Sequence, residues 1–142
     1  RPRPQTGAAT AREMRPIAPE EPLARFLISS RCFSRGCNRV KADAFIPHPF
    51  LELPVFRTHG LAEAEVWSIG DSVARPQGRT LYDRAEILAD VVVKLGFGLV
   101  PAEPPPLHAH ITGWPADDRG AQRIRAVELA VAARLVLREQ AP

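Results

Sequence analysis

Between Leu23 and Ala42 the chain sets Arg25, Arg31, Arg35, Arg39 and Lys41 without a single acidic residue, interleaved with Phe26 and Phe33. Cationic heads neutralise phosphates and aromatic rings stack on bases, so this stretch points to an anionic partner: nucleic acid or an acidic protein surface. Arg57 is a further cation that folding can bring to it, as are Arg79 and Arg84. The plain alternative is a solvated basic face whose phenylalanines belong to the core.

His108 and His110 stand two apart in a segment that reads as a strand, which puts both rings on one face. An imidazole can exchange a proton near neutral pH, so His108 is the candidate catalytic group, acting beside a phosphate gripped by Arg39, Lys41 and Arg57. Cys32 and Cys37 complete four potential metal ligands with the two histidines, but neither C-x4-C nor H-x-H is an established zinc spacing, and no metal or cofactor is expected. A cysteine nucleophile paired with His108 is an alternative use of the thiols, against the ordinary role of small half-buried side chains. Trp114, held between Gly113 and Pro115, forms a corner with His108 and His110 that reads either as a pocket or as a packed turn.

Other chemistries are excluded by what is missing. His110-Ile111-Thr112 spells one H-x-T signature, but no second copy supplies the acid to match the base. Gly96-Phe97-Gly98 lacks the third glycine of a dinucleotide loop, and neither a Walker-type phosphate loop nor a G-x-S-x-G elbow occurs.

The segments NRVKADAFIP, ELPVFRTHGL and LHAHITGWP, followed by an Ala-rich stretch, resemble a group of short bacterial proteins that pair an N-R-V-K-x-x-A-F segment with V-F-R and R-H-x-x-I-x-G-W-P segments. The resemblance spans roughly residues 20 to 138. Leu107 stands where the group has Arg, and Pro54 where a small polar residue is commoner. What the resemblance implies is one bacterial cytosolic domain; it carries no mechanism.

The elements that must position these residues are read from periodicity. Residues 1–20 are rich in Arg and Pro and poor in large apolar groups, which predicts a disordered arm ahead of a single domain over 21–142. Leu23, Phe26 and Leu27 predict a short helix over about 21–29, with a strand as the alternative. The alternation of Asn38 to Phe45 predicts a strand, and ELPVFRT predicts another, placed at the sheet margin by Pro54. Leu61 to Ile69 predicts a short helix between Gly60 and Gly70. Thr80 and Asp83 have capping-box spacing ahead of the stripe Leu81, Ala85, Leu88, Val92 and Leu95, which predicts a main helix ending at Gly96. Pro104 to Pro106 reads as a stiff extended connector into a strand over Leu107 to Thr112. A second main helix is predicted from Asp118 to Glu139, with Ile124, Val127, Val131 and Leu135 facing the core.

The expected class is therefore α+β, with a small sheet of about three to four strands packed by two main helices and one or two short ones. Of 142 residues 45% are hydrophobic, enough for one core, yet no apolar run approaches the roughly 20 residues that span a bilayer. No membrane role is expected. Two cysteines are too few for a disulfide framework, which suggests a reducing, cytoplasmic compartment. The net charge is +3 while Leu23 to Ala42 carries +5, so all positive excess lies in one stretch. The leading expectation is a basic binding module; the alternatives are a small enzyme acting on a phosphorylated or nucleotide-like substrate, and an accessory subunit of a larger complex.

Overall fold

The computed structural model describes residues 15–47 and 51–139, so the predicted arm lies outside the described residues up to position 14. Eight strands occur among them: β1 (Pro22–Leu27), β2 (Phe33–Ser34), β3 (Arg39–Val40), β4 (Leu53–Arg57), β5 (Asp83–Leu88), β6 (Gly98–Pro101), β7 (His108–Thr112) and β8 (Arg134–Leu137). Three α-helices accompany them: α1 (Glu63–Ala74), α2 (Ala89–Lys94) and α3 (Arg119–Ala132). Six strands form one sheet in the order β6-β7-β4-β1-β5-β8, every pairing antiparallel, and β2 and β3 form a separate hairpin. The α+β class holds, but the sheet has six strands rather than three to four.

The sheet is covered on both faces. On one, Leu23, Leu27, Val55, Ala85, Ile87 and Ile111 pack with Val92 of α2, Leu129 of α3 and Phe45. On the other, Ala24, Phe26 and Phe56 meet Val66 and Ala74 of α1. Helix α1 comes close because residue 70 is glycine: a Cβ there would lie 2.6 Å from the Phe26 ring and 2.7 Å from Leu81 Cδ2. Gly70 thus lies inside a helix longer than the predicted Leu61–Ile69 segment, admitting it to the sheet rather than ending it.

Burial on both faces explains the misread segments. β1 buries Leu23, Ala24, Phe26 and Leu27, and a strand apolar on both sides has no alternation to reveal it, so its spacing imitates a helical turn. The helix predicted from Thr80 is β5 followed by the short α2. Its Asp83 caps nothing: fully buried, it accepts from the Arg35 guanidinium and from Arg138 N–H. Arg138 in turn is held by Asp71 of α1. Leu88, assigned to the buried stripe, is 47% exposed, whereas Val92 is fully buried.

The second main helix ends at Ala132, and the chain returns as edge strand β8 against β5. Its N-terminus is where Asp118 predicts, with the Asp118 carboxylate accepting from Ala121 N–H at 2.9 Å. Its register is not: α3 buries Ala126, Leu129 and Ala130, while Ile124, Val127 and Val131 face outward. Small alanines let it pack tightly over the turn at Ala42–Phe45, which replaces most of the strand predicted for residues 38–45.

Pro54 does not mark a sheet margin, because β4 is interior, between β7 and β1. Its tolerance has a local cause. Arg57 N–H bonds to Leu107 O on the β7 side, so strand alternation turns residue 54 toward β1, where pairing stops after Leu23–Arg57 and Ala24–Phe56. No ladder donor is needed at Pro54. Pro104 to Pro106 is a turn with cis bonds at Glu103–Pro104 and Pro104–Pro105, rather than an extended connector.

Candidate functional site

The early end of the β1–β4 ladder leaves room that a side chain occupies. Arg25 Nε donates to Ala44 O at 2.8 Å and Arg25 Nη1 to Pro54 O at 3.0 Å, tying β1, the 42–45 turn and β4 together. No carboxylate among the described residues pairs with it, and Nη2 has no protein acceptor there. Burial pulls the Arg25 pKa down from its usual value, with the Cys32 sulfur opposing. A guanidinium nevertheless stays charged in any protein environment, so this is a partly desolvated cation held, among the described residues, by neutral partners.

Arg25 lines a cleft of about 1000 Å³. Its floor is a row of rings across three neighbouring strands: Phe26 of β1, Phe56 of β4 and His108 of β7, spaced 5.8 Å and 5.1 Å between centroids. Phe56 and His108 are direct partners in the β4–β7 register, which holds their rings in tilted contact. The walls are apolar, from Ile69 and Val73 of α1 on one side and Pro105 and Pro106 on another.

His108 is held in one orientation. Its Nδ1 lies 3.0 Å from Ala102 O, and Ala102 N–H donates back to His108 O at 2.8 Å. A carbonyl oxygen can only accept, so the neutral ring carries its proton on Nδ1 and leaves Nε2 as a lone-pair acceptor. Nε2 makes no hydrogen bond among the described residues. Burial lowers the His108 pKa; the bond to Ala102 opposes this, and His110 and Arg25 add to the lowering. The uncharged ring is therefore the resting form at neutral pH.

The sequence-predicted residues disperse around this cleft. Arg25 and His108 meet in it, and Cys32 lines it, but burial raises the Cys32 pKa, Arg25 opposes and Asp43 adds, so the group is a thiol and not a poised nucleophile. Arg39, Lys41 and Arg57 do not line the cleft, so they hold no phosphate there for His108. Arg57 is buried against Glu21, giving Nε–Oε1 and Nη2–Oε2 bonds of 2.8 Å, and also donates to Arg15 O. Residues 15–18, assigned to the arm, thus dock on the domain, and Ile17 packs against the core. Arg35 is spent on Asp83. Arg31, Arg39 and Lys41 are exposed and form no ion pair among the described residues.

Phe26 belongs to the core and the cleft floor, away from the exposed cations, and half-buried Phe33 packs on Tyr82. His110 sits beside Glu52, 3.5 Å from its Oε1, and Trp114 is buried on the opposite face with Phe97, its Nε1 donating to Ile111 O. The corner of His108, His110 and Trp114 is therefore no pocket. Cys32, Cys37, His108 and His110 do not assemble: no group of three or more His, Cys, Asp or Glu that could hold a metal occurs among the described residues. Reading along the sequence missed Phe56 and the carbonyls of Ala44 and Pro54, since a hydrophobic strand residue and two backbone acceptors leave no compositional mark. No helix among the described residues is long and apolar enough to cross a membrane. Compared with known proteins, the chain matches no family model, no curated protein and no solved structure.

Proposed function

We propose that this domain binds a small organic anion in the cleft, with Arg25 as counter-ion and the Phe26–Phe56–His108 floor taking the apolar body. One observation carries the reading: a half-buried guanidinium whose partners among the described residues are two carbonyls and no acid, set in an apolar cleft. Withdrawing an uncompensated charge even partly from water is costly, and an anion delivered by a ligand lowers that cost only when bound. A large apolar pocket with a few convergent polar groups is the usual form of a small-molecule site. The test is calorimetric titration with aromatic and aliphatic carboxylates and phosphate monoesters. Arg25→Met should weaken any anion that binds by at least tenfold, and Arg25→Lys should weaken it less. Equal binding by all three proteins sinks the reading.

A second reading has its own support. Arg31, Arg39 and Lys41 cluster around the β2–β3 hairpin, exposed and without acidic partners, as a polyanion-binding surface requires. For it to hold, short oligonucleotides should bind at low ionic strength in fluorescence anisotropy, and neutralising each of the three cations should reduce the salt slope by about one unit. Absence of binding at low salt removes nucleic acid as the partner.

A further inference from the structure

The cleft contains a second open group besides the cation. His108 Nε2 has no protein partner among the described residues, while the Nδ1 bond to Ala102 O and the flanking rings of Phe56 and His110, 5.1 Å and 4.9 Å away, hold the imidazole in place. Resting on the anion-binding reading above, we infer that the ligand is a hydroxylated or amino-bearing organic acid whose O–H or N–H donates to His108 Nε2 while its anionic group meets Arg25. Arg25 supplies donors only and His108 Nε2 an acceptor only, so the two lining residues ask for opposite ligand groups. The Phe26 and Phe56 rings of the floor offer neither, so the cleft sorts ligands by the polar groups they carry. A simple acid of the same shape satisfies Arg25 and leaves Nε2 facing a hydrocarbon. A site built to pair a ligand donor rejects the analogue that lacks it, because its own polar group then stays unpaired.

The charged groups around His108 are consistent with this division. His110 lies on the same face of β7, with Glu52 at its Nδ1, and Arg25 comes from β1. On the β6–β7 connection, Glu103 Oε2 accepts Leu107 N–H at 2.6 Å. The α1 residues lining the cleft, Ile69, Ser72 and Val73, carry no charge.

The experiment uses matched probes: phenylacetate, its 3- and 4-hydroxy derivatives, and mandelate, titrated into the full chain and into Arg25→Met, His108→Phe and His108→Gln. At least one hydroxylated acid should bind the wild type roughly three- to tenfold more tightly than phenylacetate, the range that one neutral hydrogen bond supplies. His108→Phe should bring the ratio of the hydroxylated acid's affinity to that of phenylacetate down to about one, whatever the absolute affinities become, and His108→Gln, whose amide oxygen also accepts, should restore part of that ratio. In ¹⁵N-histidine NMR of the wild type, the hydroxylated acid should shift the Nε2 resonance toward the hydrogen-bonded range and phenylacetate should not, a readout that needs no variant to fold. If phenylacetate and all its hydroxylated forms bind equally and leave Nε2 unmoved, the inference is overturned while the anion reading stands. If none of the four acids binds, or Arg25→Met does not weaken them, the underlying reading fails and takes this one with it.

Discussion

Two arginines of the same sequence type have opposite fates, and their surroundings predict opposite mutational costs. Arg57 and Glu21 are both buried and bonded through two parallel contacts, so Arg57→Ala strands a carboxylate in the interior and should destabilise the fold by about 3–5 kcal/mol. Arg39→Ala removes an exposed head and should change stability by no more than about 0.5 kcal/mol; urea unfolding of both variants checks the contrast. The pair also sets an acid response. Burial alone would raise the Glu21 pKa, but the bonds from Arg57 and Ala18 N–H and the Arg57 charge outweigh it and hold the group below its ordinary value of 4.5. A depressed carboxylate contributes stability above the unfolded-state value and loses it as pH falls through the folded value. Thermal unfolding against pH should therefore fall below about pH 4.5 in the wild type, and Glu21→Gln should flatten that limb. The histidine could be singled out from the sequence, but its tautomer could not, because Ala102 O reaches it through the turn before β7.

At the level of elements, the covered faces of the sheet decide what a substitution costs. Val92→Ala opens space in the packed layer between α2 and the sheet and should cost roughly 2 kcal/mol, whereas Leu88→Ala, half in solvent, should cost well under half of that. The sequence grouped both on one helical stripe; chemical denaturation that found them equal would restore that register and contradict β5. Gly70→Ala tests the approach of α1 to β1: the new methyl meets the Phe26 ring and Leu81, and a destabilisation of about 1–3 kcal/mol is expected in spite of alanine's better helix propensity. A variant more stable than wild type would mean that α1 can move off the sheet freely. Strand β7 and the start of α3 were readable from alternation and from the Asp118 cap, since both signals are local. Strand β1 was readable only as the alternative to a short helix and β5 was not readable, because strands buried on both faces lose the alternation on which such reading depends.

For the molecule as a whole, the boundary of the folded unit lies earlier than proline content suggests. Arg15 and Pro16 present carbonyls to the Arg57 guanidinium, and Ile17 packs against the core, so deleting residues 1–20 should lower the melting temperature by several degrees. Deletion of residues 1–14 retains all of those contacts and should lower the melting temperature less; calorimetry of the two truncations separates the cases. Composition and local pattern were enough for the α+β class and for the concentration of positive charge in Leu23 to Ala42. These are properties of residue type and of spacing within a few positions. The tertiary structure alone decided how the cations divide: Arg35 to Asp83, Arg57 to Glu21, Arg25 to a cleft without an acid, and Arg31, Arg39 and Lys41 to solvent. The reason is physical. Whether a charge is free or spent depends on which acid antiparallel pairing brings within a few ångströms, and Asp83 lies 48 positions from Arg35 and Glu21 36 from Arg57, separations at which no local pattern operates.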